Sequence, residues 1–441
     1  MKHSAKTGAH GARFWLVLLS LVAILSLVAL SCGGDDEEET KETPSGGTTP
    51  AADTTPATGT EQLKIGILFD FTGDLAEFGP NMMNGAKLAV KEINDAGGVM
   101  GKDVVLKQAD SQTSPSPAVD AARQLVESDK VSAIVGSLSS GVTLAVAEAV
   151  TVPGKIIQIS PASTSPALTE VEDSDFLFRT CLSDAAQGLI LGKLAKELGY
   201  STVGTLYVNN AYGQGLSENF AKSFEAEGGT VTAQVPHEQE QASYLAEVQK
   251  ATEGSPDAVA ALSYPQSATV YLKEGFENNL LTNVLFCDGT KSEDIVAAVG
   301  AEKLEGMEGT VSAAAEIPSE WQAEFEAEYD SLPPLPYIAE AYDAVIVIAL
   351  AAEKAQSTDP TEIRDAMRTL NDPSGEKVTS GAAGIEKALD LIHEGKAINF
   401  QGASGFGGWD ENGDLPSGFI EIWKYEGGEI VTVRTEPIEL E

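Results

Sequence analysis

The chain has 441 residues, more than one ordinary domain, and its 42% hydrophobic, 6% aromatic composition with 43 glycines is that of an α/β globular protein. Its formal charge is -39. The first 31 residues hold Lys2, Lys6 and Arg13 but no acid, which leaves 25 bases against 67 acids, or -42, in the remainder. Such a surface repels nucleic acid and disfavours docking on anionic lipid, so nucleic-acid partners are excluded and membrane attachment needs a covalent or inserted anchor.

In chain order, the basic leader runs into an unbroken apolar or small-residue stretch from Phe14 to Leu30, closed by Ser31 and Cys32 before Gly33 and Gly34. Residues 1–31 read as a secretory signal. The small residue ahead of a lone cysteine resembles the bacterial lipobox, which implies lipidation at Cys32. Ala29 stands where leucine is commonest in that motif, and the apolar run is long enough to leave an uncleaved anchor open as the alternative. Residues 32–60 start with the acid run Asp35 to Glu39 and continue in Thr, Pro, Gly, Ser and Ala. With no periodic apolar face to offset ordering entropy, they read as a disordered tether spanning ~30 Å.

From Leu63 onward, short β-branched runs alternate with amphipathic stretches, the pattern of parallel strands joined by crossover helices. Strands are expected at Leu63 to Phe69, Val104 to Gln108, Val131 to Val135 and Lys155 to Ile159. A second series covers Thr202 to Val208, Thr230 to Val235, Ala258 to Leu262, Asn283 to Phe286 and Gly309 to Ser312. Helices are expected at Ser183 to Leu198, Leu216 to Glu227 and Ser243 to Thr252, with Ser319 to His393 mostly helical and a closing hairpin from Gly418 to Val433. Two doubly wound α/β sheets follow. In such sheets ligands lie beyond the carboxyl ends of strands, so the loops after the strands are where function is sought.

Those loops are Asp70 to Gly79, Gly136 to Gly141, Ser160 to Pro166, Asn209 to Gly215, Ser263 to Gln266 and Cys287 to Thr290. Hydroxyl-rich loops ahead of helices can offer N–H and O–H donors to a carboxylate, and Asp288 in the second series can face an ammonium. Spacing alone leaves the alternative open, with Ser140 and Thr164 as N-caps and Asp288 as a turn former. Enzyme readings fail. There is no G-x-S-x-G elbow, Gly97 to Lys102 lacks phosphate-loop spacing, and His237-Glu238 lacks the second histidine of a metalloprotease. The run Asp410, Asn412, Asp414 reads as a turn, since Leu415 stands where a calcium loop needs glycine. His237 and His393 have no ligand spacing, so no metal and no cofactor are expected, and Cys181 and Cys287 read as buried small residues whose pairing sequence leaves open.

EINDAGGVMG (92–101), VGSLSSG (135–141), SPASTSP (160–166), FRTCLSD (178–184), NAYGQG (210–215), YIAEAYDA (337–344) and QGASG (401–405) together resemble the leucine/isoleucine/valine-binding family of ABC solute-binding proteins. The resemblance covers Leu63 to the C-terminus. It implies the type I periplasmic binding fold, two doubly wound lobes joined by a three-crossing hinge, with lobe 1 as 61–180 plus 315–415 and lobe 2 as 181–314 plus 416–441. Carried over position by position, it implies Ser140, Ala162, Ser163 and Thr164 at the ligand carboxylate, Asp288 at the ammonium, and Phe78, Tyr212, Tyr264 and Tyr337 as aromatic walls. Asp288 stands where branched-chain binders usually have Glu, and Phe78 where they have Tyr. The expected role is a non-enzymatic, lipid-anchored component on the outer face of the cytoplasmic membrane, delivering an amino-acid-like solute to an ABC permease. The rival expectation is a sensor subunit for amino acids or amides acting through a separate signalling partner.

Overall fold

A computed structural model describes residues 61–440; the expected signal, Cys32 and the tether lie outside the described residues. Five parallel strands make the first sheet, in the order β2-β1-β3-β4-β5: β1 Lys64–Phe69, β2 Val105–Asp110, β3 Ala133–Gly136, β4 Ile157–Ser160 and β5 Leu177–Arg179. The inner strands read as continuous apolar runs because helices cover both faces, whereas edge strand β2 is half-exposed and carries Lys107. The second parallel sheet runs β7-β6-β8-β9, from β6 Thr202–Val208, β7 Thr230–His237, β8 Ala258–Leu262 and β9 Val284–Leu285.

One strand expectation needs correction. The segment around Gly309 does not extend the second parallel sheet; β10 Glu308–Ala313 touches it only through a bridge from Gly309 to Phe286. Instead β10 pairs antiparallel with β13 Ser417–Glu426, which pairs with β14 Glu429–Glu439 through a turn at Gly427 and Gly428, both at positive φ. The span 319–393 is mostly helical as expected, and it also contains β11 Glu376–Thr379, which pairs in parallel with β12 Ile398–Gln401. The helix Ala211–Ala226 begins five residues earlier than the apolar pattern implies, because Asn210 accepts from the N–H groups of Tyr212 and Gly213, both at 3.1 Å, and so caps a glycine-bearing first turn.

The chain crosses between the two lobes after β5, after β10 and again before β13, which is the three-strand hinge of a type I binding fold. The helix Ile338–Ala355 is buried almost throughout and packs against Phe78–Asp95 in the first lobe. Several of the sequence blocks act as fasteners. The Asp343 carboxylate accepts from the N–H groups of Ala403 and Ser404, each at 2.8 Å, and so ties YIAEAYDA to QGASG. Asn94 closes the loop after its helix by exchanging two bonds with Val104. Asp410 accepts from the N–H groups of Asn412 and Asp414, a turn as expected. Cys181 and Cys287 are both free thiols, and burial pushes the Cys287 thiol up to about 12.

Glu92 is buried between the same two helices and accepts from the Tyr342 hydroxyl; burial is the main cause that raises its carboxyl to about 8. A folded-state value above the unfolded one means that its contribution to stability is full below about 4.5, the unfolded value, and lost as pH rises through about 8. Glu92→Gln is therefore expected to flatten the decline of stability between those two pH values, measured by urea unfolding across the range. An unchanged decline would show that this carboxyl does not hold a proton in the fold.

Candidate functional site

Between the carboxyl edges of the two sheets lies a small cavity of about 20 Å³, room for about one water. Phe78, Ser140, Ala162, Tyr212, Tyr264, Asp288 and Tyr337 line it, joined by Leu75, Leu138 and Gly289. Seven of the nine residues expected at a ligand are thus brought together from loops far apart in sequence. Ser163 and Thr164 stand behind this wall. The Ser163 hydroxyl is bonded to Thr143 at 2.8 Å and to the Leu138 carbonyl at 3.1 Å, and Thr164 donates to Asp184 at 2.9 Å.

Asp288 is the electrostatic centre. It lies just beyond β9, and its side chain is buried at 3% exposure. Its Oδ1 accepts from the Tyr212 hydroxyl at 2.6 Å and the Gln187 amide at 2.7 Å, and its Oδ2 from the Tyr337 hydroxyl at 2.8 Å. A buried carboxylate needs such donors, since desolvation otherwise costs several kcal/mol. Gly289 has to be a glycine, because a Cβ there would sit 2.3 Å from the Ser263 carbonyl and 2.9 Å from the Tyr212 hydroxyl. Tyr337 holds a left-handed backbone, φ 69° and ψ 13°, a conformation that costs a bulky residue on the order of 1–3 kcal/mol and aims its ring at the other lobe.

The sequence reading missed Asp184 and Gln187, which lie one helical turn apart at the start of Asp184–Glu197. Two polar residues at that spacing on an otherwise apolar helix face are the available signal. Asp184 is fully buried, and its carboxyl is pushed well above the usual range, first by burial and then by the charge of Asp288. Two acids thus share the site. Arg179 acts on Asp184 from a distance but is itself paired with Asp414, Nη2 to Oδ2 at 2.7 Å, and donates to the Ser165 carbonyl at 3.0 Å. It fixes the 160–166 loop rather than supplying a counter-charge to the cavity.

Ser140 opens the helix Ser140–Val146, and its hydroxyl accepts from the Ser165 N–H at 3.2 Å. Neighbouring Ser139 reaches across to the Tyr264 hydroxyl at 3.0 Å, and the Tyr264 ring stacks on Tyr212 with centroids 5.3 Å apart. Ser165 donates to the Ala211 carbonyl at 2.8 Å. At the outer rim the loop after β1 holds the second lobe twice. Asp74 accepts from the Ser267 hydroxyl, and Glu77 accepts from the Ser292 hydroxyl and from the Glu293 N–H at 2.9 Å. Among the described residues no group of side chains has the make-up of a metal site, and no helix is long and apolar enough to cross a membrane.

An acid-centred, aromatic-walled cavity at the carboxyl edges of two hinged α/β lobes defines a solute-binding clamp. The sequence model of periplasmic binding proteins matches residues 62–384, and the chain belongs to that family. It is 28% identical to the Leu/Ile/Val-binding protein homolog 3 of Brucella melitensis, over 84% of this chain and 93% of that one. It is also 28% identical to the chemotactic signal transduction substrate-binding protein BasB of Halobacterium salinarum, over 78% and 83%. Among solved structures, the leucine-binding protein LivK of Thermotoga maritima superposes with a TM-score of 0.71 at 25% identity, covering 85% of this chain and 98% of that one.

The Glu77 contacts exist only while the lobes meet. Glu77→Ala is expected to loosen the clamp, read as a larger radius of gyration in small-angle scattering with an unchanged circular dichroism spectrum. An unchanged radius would mean that these bonds do not hold the lobes together.

Proposed function

We propose that this chain is the extracytoplasmic solute-binding component of an ABC importer, capturing a branched-chain or other hydrophobic amino acid, or a close analogue, by closure of its lobes. The observation that carries the reading is Asp288, a buried carboxylate that faces apolar and aromatic walls and is satisfied by hydroxyl and amide donors rather than by a cation. A ligand ammonium supplies the missing positive charge, and the hydroxyl and N–H groups around Ser140 and Ala162 suit its carboxylate. The LivK likeness supports the same solute class. Residues 61–180 with 315–415 are assigned to one lobe and 181–314 with 416–441 to the other, so that Asp288 and Ser140 meet only in the closed clamp. Cys32 is assigned as the lipid attachment point, on the outer face of the cytoplasmic membrane. The likeness to BasB favours a second reading, in which the clamp reports occupancy to a signalling partner.

A thermal-shift screen against amino acids and amides is expected to find a stabilising ligand, worth ~2.7 kcal/mol at a hundredfold excess over its Kd. Asp288→Asn keeps the shape but not the charge and should lose about 2–5 kcal/mol of binding, measured by calorimetric titration. Undiminished binding would move the reading to an uncharged solute. For the anchor, Cys32→Ala is expected to release the protein from the membrane fraction; a mature wild-type species carrying no lipid would refute that assignment.

A further inference from the structure

The loop that carries Asp288 also carries the rim contact. Residues 287–292 follow β9 and end at the helix that starts with Glu293. Near one end, Asp288 accepts from Tyr337 of the first lobe at 2.8 Å, inside the cleft. At the other, the Ser292 hydroxyl and the N–H groups of Glu293 and Asp294, at 2.9 and 3.3 Å, donate to Glu77 of the first lobe at the rim. Only residues 289–291 separate the two contacts.

So short a link transmits position if it is stiff. Asp288–Thr290 form a single 3-10 turn, closed by the Thr290 hydroxyl, which accepts from the Cys287 N–H at 2.8 Å. Lys291, at φ -79° and ψ 81°, breaks away from that turn before the helix begins. Beyond the turn, the main chain converges on one group from outside the loop. The Tyr425 hydroxyl, on β13, lies 2.7 Å from the Thr290 carbonyl, 3.1 Å from the Ser292 carbonyl and 3.4 Å from the Ser292 nitrogen. A buried ion pair joins the same two elements, with Lys291 and Glu421 2.7 Å apart.

Ring packing does not account for that hydroxyl. The Tyr425 ring stands edge-on to Phe286 and Trp423, with centroids 5.1 and 5.0 Å away, and a phenylalanine would make both contacts. A buried hydroxyl is costly unless it is bonded, so the tyrosine here is explained by what its oxygen holds.

We propose that Tyr425 is a positioning residue for solute capture: its hydroxyl fixes 290–292 so that Asp288 in the cleft and Ser292 at the rim move as one body. Capture of a ligand ammonium and closure of the rim are then a single event, carried by one loop and held from the C-terminal hairpin. This rests on the reading of Asp288 as the ammonium acceptor.

Isothermal titration of the intact protein with L-leucine, L-valine and L-phenylalanine tests the assignment, with the tightest binder used for a double-mutant cycle between rim and hairpin. Glu77→Ala and Tyr425→Phe are each expected to weaken binding about tenfold when made alone. In the Tyr425→Phe background, Glu77→Ala should change affinity less than about twofold, because a loosened link no longer carries the rim contact to Asp288. Thr290→Val loosens the same link from within and is expected to give the same result, which keeps the test decisive if Tyr425→Phe does not fold. A hydroxyl with a merely structural role would let the two losses multiply, to about a hundredfold, and that outcome would overturn the proposal. If the wild type binds none of the three amino acids saturably, the solute reading fails and the positioning role with it, a result distinct from binding with multiplying losses.

Discussion

Burying the Asp288 carboxylate between two lobes is the constraint on which the rest of the site depends. Three neutral donors, Tyr212, Gln187 and Tyr337, make that burial tolerable, and each imposes a demand on the fold. Tyr212 requires the early start of its helix and the glycine at position 289. Gln187 requires the helix after the first hinge crossing to point its first turns at the second sheet. Tyr337 requires a left-handed backbone at the mouth of the most buried helix. A neutral donor set stabilises a charge without cancelling it, so the site retains a field that favours a cation. Asp184, fully buried beside it, strengthens that field whenever it ionises and is held toward its protonated form as a result.

The residues that hold this arrangement do not touch the cavity. The Arg179–Asp414 pair joins the strand leading into the hinge to the turn before β13, and the same guanidinium bonds the carbonyl of Ser165, whose N–H binds Ser140. Breaking such a buried pair costs about 3–5 kcal/mol, because one charge is left without its partner. Placement of Ser140 is therefore coupled to an ion pair that spans the hinge region. Asp343 plays the corresponding part for Tyr337, fastening the helix that begins beside it to the 401–405 run.

Much of this was legible in the sequence because parallel sheets announce themselves as short apolar runs between amphipathic stretches. β6 and β8 match their expected limits residue for residue. What the pattern could not show was partner choice: β10 is buried along its middle like a parallel strand, yet its neighbour is the C-terminal hairpin, over a hundred residues later. β11 has only four residues, with one buried, so its alternation is too brief to stand out from helix. At the site, Asp288 and the aromatics were legible from loop position and from family likeness. Thr164 was not, since the competing acceptor Asp184 lies twenty residues away and only the folded chain shows that it takes the hydroxyl. Sequence spacing reveals which groups are available, not which of them are already bonded.

The closed cleft is self-satisfied, and this has a thermodynamic consequence for any solute. Asp288 has three donors, Ser139 holds Tyr264, and Asp74 and Glu77 bond across the rim. With room for about one water, an amino acid cannot enter this arrangement as it stands. The lobes must part, and the ligand must then replace donors rather than simply add to them. Its apparent affinity is the intrinsic one reduced by the fraction of molecules that are open, so contacts remote from the ligand tune binding as effectively as contacts with it. Tyr337 bonds Asp288 from the mouth of the most buried of the described helices, so among the three donors it is the one whose replacement would reach furthest into the fold.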